Sequence, residues 1–244
     1  AGLKGGIPQE VPMLTLSRIC GSGVQSIITG AQMIMLGEAS TVVSGGMENL
    51  SQAPHVMRGG REGWRLGRSP QVEDYMMTNL QDMTCGLFMA QTSDELCNRK
   101  GITREEIDEY AARSHARTTA SIENDVFEQE VVSVTIKGRR GDTVVTHKDE
   151  DHVVKNTTAE SLAKLPTAFG PDSFVTAGNA SGVVDGAAAV VIKSASQAEA
   201  DGDAPLARIV SWGIVGLEPA IMAYGPVPSS RKALEKAGLT TDDI

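Results

Sequence analysis

Apolar residues recur at helical spacing through Val24, Ile27, Ile28, Ala31, Ile34 and Met35, which predicts a helix over 24–36 that stops at Gly37. A short apolar run, 13–16, precedes it, and the β-branched stretch Thr41-Val42-Val43-Ser44 follows, ending in Gly45-Gly46. Strand, helix and strand in that order read as a βαβ unit, for which a parallel sheet is the economical expectation. From about 47 to 175 methionines, charges and turn residues increase and the pattern breaks into shorter pieces, as an insertion or second lobe would. Inside it, Thr103 and Glu106 have capping-box spacing and open a helix running toward 121. Residues 130–136 alternate as a strand that residues 143–146 return against, across a turn at 137–142. Beyond Gly178, residues 187–192 and 206–215 read as apolar strands, and Ser229 or Ser230 caps a helix over 232–237 closed by Gly238. The chain is of the α/β class.

Composition narrows the function classes. With 22 Lys+Arg against 31 Asp+Glu the formal net charge is −9, which argues against nucleic acid as a partner. Apolar residues make up 41% and charged residues 22%, enough to bury a core. No stretch approaches the roughly 20 apolar residues of a bilayer span, and the first twenty residues do not read as an export signal. A soluble protein is expected. Cys20, Cys85 and Cys97 are odd in number and show no metal-ligand spacing, so neither a disulfide framework nor a metal site is expected, and a reducing compartment fits.

Chemistry concentrates at glycine-rich strand ends. Cys20, within Arg18-Ile19-Cys20-Gly21-Ser22-Gly23, lies where a helix begins. The free N–H groups and positive end of a helix favour thiolate, the nucleophilic form. Its own N–H is suited to holding an oxyanion. On spacing alone a buried structural cysteine is as good a reading. Gly45-Gly46-Met47-Glu48-Asn49 ends the next strand and would share an edge with Cys20. Thr176-Ala177-Gly178-Asn179-Ala180-Ser181-Gly182, followed by Asp185-Gly186, is a small-residue loop that can press backbone amides against a ligand; turn chemistry explains it equally well. Lys137, Arg139 and Arg140 read as solvated charges on a turn, Cys85 and Cys97 as packing residues, and His55, His115, His147 and His152 as surface or capping residues.

Taken in order, these three motifs and Gly225-Pro226-Val227-Pro228 resemble the thiolases, acyl-CoA C-acyltransferases that make or cleave 3-oxoacyl-CoA. The resemblance implies a layered α-β-α-β-α thiolase fold, here partial, with an inserted loop domain covering CoA. The implied division is 1–49 as first-half core, 50–183 as loop domain, 184–203 as the last strand of the first half, and 204–244 as the start of the second half. By the same resemblance Cys20 is the nucleophile that takes the acyl group, and Leu80, Met89, Ser161, Ala177, Ala180, Ser181 and Val183 contact CoA. It implies CoA and acyl-CoA as substrates, no permanently bound cofactor, a homodimer or homotetramer, and residence in a bacterial cytoplasm or the mitochondrial matrix.

The sequence also departs from the family pattern. Val154, with Lys155 beside it, stands where thiolases often carry an arginine facing the adenine end of CoA. The Asn-Glu-Ala-Phe, Gly-His-Pro and Cys-Gly-Gly-Gly segments are not found in these 244 residues. The expectation is therefore a central portion of a thiolase, lacking the opening strand and helix and the closing catalytic segments, and inactive in isolation. The alternatives are a non-catalytic acyl-CoA-binding or assembly subunit, and a thioester hydrolase using Cys20.

Overall fold

The computed structural model describes residues 1–147 and 150–244. Its elements in chain order are α1 (Ser22–Met35), β1 (Thr41–Glu48), β2 (His55–Met57), β3 (Val72–Asp74), α2 (Tyr75–Asn79), α3 (Met89–Lys100), α4 (Arg104–Glu123), β4 (Val134–Ile136), β5 (Thr143–Val145), α5 (Ala159–Leu162), β6 (Gly186–Lys193), α6 (Ala195–Asp201) and α7 (Pro226–Ala237). They form two units: Ala1–Pro54 with Val183–Ile214 and Pro228–Ile244, and His55–Gly182 with Val215–Val227. Among the described residues no helix is long and apolar enough to cross a membrane.

In the first unit α1 lies on a two-stranded sheet of β1 and β6. Glycine at position 30 permits this approach, because a Cβ there would stand 2.6 Å from Ser44 Oγ and 3.1 Å from Val42 Cγ1. Ile28, Ala31 and Ser44 are buried beneath the helix, and the polar atoms between the layers are matched: Ser26 Oγ donates to Gly45 O at 2.8 Å and Ser44 Oγ to Ser26 O at 3.0 Å. The outward face carries Val43, Met47 and Val191, all exposed.

The parallel βαβ reading is corrected. β1 pairs antiparallel with β6, Thr41 opposite Lys193 and Glu48 opposite Gly186. Residues 13–16 form no strand and Leu14 is 71% exposed, so a crossover through α1 has no first strand to start from. Residues 206–215 are not a strand either. Two of their carbonyls are met from α7 instead, Lys232 Nζ donating to Ile214 O at 2.9 Å and Lys236 Nζ to Trp212 O at 3.0 Å. That helix begins at Pro226 rather than 232, because proline suits a first helical position where its missing N–H is not needed. Gly238 ends it as expected, at φ 70°.

The second unit is organised by α4. Thr103 and Glu106 close the expected capping box, Thr103 N donating to Glu106 Oε2 at 2.8 Å and Glu106 N to Thr103 Oγ1 at 3.2 Å. The hairpin forms between β4 and β5, with three residue pairs and shorter than its apolar pattern suggested. Unusually for an interior, the most deeply buried side chains are polar: Thr92, Asp108 and Thr176. Asp108 accepts from Arg104 Nε at 2.8 Å and from Asn179 Nδ2 at 3.0 Å. Arg104 Nη2 in turn donates to Leu162 O at 2.9 Å. This network ties α4 to α5 and to the loop at 174–182.

Candidate active site

Cys20 is exposed and immediately precedes the N-cap Gly21 of α1. Gly21 offers no side-chain cap, so the first-turn amides are not covered by one. The turn before the helix is held tightly: Arg18 N donates to Ser22 Oγ at 2.8 Å, Ser22 Oγ to Ile19 O at 2.7 Å, and Gly21 N to Arg18 O at 2.9 Å. Within this turn Ile19 has φ 47°. A β-branched residue in the left-handed region is strained, and such strain persists only where the surroundings over-determine it. The start of α1 also faces the end of β1, a Cβ on Gly46 lying 3.5 Å from Gly23 Cα, but no strand ends at Cys20, so the expected shared edge of two strand ends is not formed.

The other two cysteines offer less. Cys97 is buried on α3, where burial pushes its thiol up and the Asp94 carboxylate pushes the same way. Cys85 is half-buried, in a turn whose amides donate to Asp82. Among the described residues no cluster of three or more His, Cys, Asp or Glu side chains can hold a metal ion.

The positions assigned to CoA are distributed as follows. Val183 belongs to the first unit, with Cys20, and the other six to the second. Leu80 closes α2 and Met89 opens α3, joined by the Met89 N–H donating to Leu80 O at 2.8 Å. Ala177, Ala180 and Ser181 share the loop after Thr176, and all three are exposed. Asn179 shapes that loop by accepting from Thr176 N at 2.8 Å and donating to Phe174 O at 2.9 Å. Ser161 lies on α5, which packs against the same loop: the side chains of Leu162 and Leu165 fill the space a side chain at 178 would need. The Ser161 hydroxyl donates to Thr158 O at 2.7 Å and accepts from Thr158 N at 3.1 Å. Ala180 and Ser181 reach a groove of about 520 Å³, walled by Ile107, Tyr110 and His115 of α4 and by His152. The other CoA positions do not line this groove.

Two features escaped the sequence reading. His115, expected at the surface or in a cap, is half-buried and bridges two segments: its Nε2 lies 3.1 Å from Gly178 O, and Val154 N donates to its Nδ1 at 3.4 Å. The Asp108–Asn179 bond joins residues 71 apart in sequence, with no local signal to announce it. Lys155 is paired with Glu123 at 3.6 Å, both side chains largely in solvent.

Comparison with known proteins supplies the family. The model of the thiolase N-terminal domain matches residues 1–196 and that of the thiolase C-terminal domain residues 203–244. The chain is 44% identical over 243 residues to 3-ketoacyl-CoA thiolase, mitochondrial, of Homo sapiens, covering 100% of this chain and 61% of the relative. It is 41% identical over 244 residues to an acetyl-CoA acetyltransferase of Syntrophomonas wolfei, covering 99% of this chain and 61% of that protein. The crystal structure of human mitochondrial 3-ketoacyl-CoA thiolase superposes at TM-score 0.92 with 43% identity, over 100% of this chain and 61% of that one. A crystal structure of the same enzyme in complex with CoA gives 0.91 at 43% identity, over 100% and 60%. The chain thus spans about 61% of the length of these relatives.

These findings correct two expectations. A central portion alone is not what the chain contains, since both the N-terminal and the C-terminal domain are matched. A partial fold with a separately inserted loop domain is likewise set aside: one N-terminal domain runs through residues 1–196, taking in the supposed insertion, and the thiolase fold is followed across the whole chain. The chain belongs to the thiolase family.

Proposed function

We propose that this protein is an acyl-CoA C-acyltransferase that passes acyl groups between CoA and carbon through an acyl-cysteine at Cys20. The observation carrying this reading is the placement of Cys20: exposed, behind a strained Ile19, at the start of α1, where Gly21 brings no side-chain cap. In the first half-reaction the sulfur attacks the thioester carbonyl, a new C–S bond forms to Cys20, and the bond to the CoA sulfur breaks. The cysteine proton ends on the departing CoA thiol. The helix amides stabilise negative charge on the attacking sulfur, and the Cys20 N–H is available to the carbonyl oxygen. CoA and acyl-CoA are the ligands proposed for Leu80, Met89, Ser161, Ala177, Ala180, Ser181 and Val183. The 50–183 stretch is proposed to contribute most of these contacts. Relatives of both bacterial and mitochondrial origin support a bacterial cytoplasm or the mitochondrial matrix as the compartment, and family likeness supports a homodimer or homotetramer.

Mixing the protein with excess acetyl-CoA tests the chemistry. The expected result is a rapid release of free CoA thiol, stoichiometric with protein and measured after an acid quench, that Cys20→Ser abolishes. No burst in the wild type would overturn the proposal and favour a non-catalytic acyl-CoA-binding role.

A further inference from the structure

We propose that His115 is a positioning residue whose imidazole clamps the 176–182 loop to the 152–155 segment and thereby holds the acyl-CoA site in shape. This deepens the CoA reading above and rests on it.

The bonding pattern fixes the tautomer. Gly178 O can only accept, so Nε2, 3.1 Å away, carries the proton. The Val154 N–H can only donate, so Nδ1, 3.4 Å away, must be unprotonated. One ring therefore spans two pieces of chain that are 24 residues apart (178 − 154). Gly178 lies between Ala177 and Ala180–Ser181, three of the positions proposed above to contact CoA. The His152 ring, at the other end of the clamped segment, lies so close over Gly182 that a Cβ there would come within 2.7 Å of it.

A glutamine at 115 offers an amide N–H and a carbonyl in the same two roles, whereas alanine offers neither.

Two measurements on wild type, His115→Gln and His115→Ala at one fixed neutral pH test this. The first is hydrogen exchange at the Val154 amide without ligand: protection should be retained in His115→Gln and be about two- to tenfold lower in His115→Ala, the worth of one net hydrogen bond. The second is the dissociation constant for CoA, which should stay close to wild type in His115→Gln and rise by a similar factor in His115→Ala. Equal Val154 protection in wild type and His115→Ala would overturn the clamp, whatever CoA does. Protection that falls in His115→Ala while affinity does not would overturn its role in binding. A wild type that binds no CoA would overturn the CoA reading, with the amide data still judging the clamp by itself.

Discussion

Replacing Asp108 by alanine is the most revealing perturbation of the scaffold beneath the small-residue loop. The carboxylate is almost fully buried and accepts from the Arg104 guanidinium at 2.8 Å and the Asn179 amide at 3.0 Å. Breaking a buried charge pair from one side costs about 3–5 kcal/mol, because the partner charge is left without compensation. Here the Arg104 side chain is 20% exposed and keeps its bond to Leu162 O, so water and that carbonyl offset part of the loss. The expected destabilisation is about 2–4 kcal/mol. Asp108→Asn should not be a mild substitute: both neighbours are donors, so whichever way the amide turns, its NH2 faces one of them. Urea unfolding followed by circular dichroism gives the free-energy change, and hydrogen exchange over 174–182 shows whether the loop is the part released. If Asp108→Ala stays within about 0.5 kcal/mol of wild type, as an ordinary surface change would, the network does not hold the loop and the reasoning fails.

Other consequences follow from single contacts. Gly45→Ala puts a Cβ 2.2 Å from Ala188 O in the paired strand, and urea unfolding should show a loss of about 1–3 kcal/mol; an unchanged midpoint would contradict the close β1–β6 approach. Asp185, just before β6, has its carboxyl held below the usual carboxylate range by the Ser51 hydroxyl and then the Ser51 amide. A depressed carboxylate stabilises the fold above its unfolded pKa and loses that contribution as pH falls through the folded value. Ser51→Ala should therefore flatten the acid limb of stability against pH, and an identical acid limb in the variant would count against the bond. Ile19→Gly relieves a left-handed strain of about 1–2 kcal/mol but adds glycine's own entropic cost of about 0.5–1 kcal/mol. Net stability should change by less than about 1 kcal/mol while acylation of Cys20 slows; unchanged acylation kinetics would show that the strain does not aim the nucleophile.

What the sequence disclosed was local. The Thr103–Glu106 box, the Gly37 and Gly238 helix ends and the turn at Cys20 all depend on residues within four positions of one another, and the structure contains them. Pairing over distance was not legible. β1 finds its partner in β6, about 140 residues later, and an apolar run such as 206–215 looks like a strand whether its carbonyls meet another strand or lysines from a helix. The site follows the same division. The glycines around Cys20 announced the helix start beside which it sits, and Ala180 and Ser181 line one groove. His115 and Asp108 gave no signal, because their importance lies in what sits across from them: Val154 at 39 positions, Asn179 at 71.

The central claim is that Cys20 is the sulfur that accepts the acyl group, and mapping that group tests it most directly. The protein is mixed with acetyl-CoA, quenched in acid and digested, and each cysteine peptide is weighed. The account predicts one acetyl group on the peptide containing Cys20, with the Cys85 and Cys97 peptides unmodified. An acetyl group on Cys85 or Cys97 instead, or on none of the three, would contradict it.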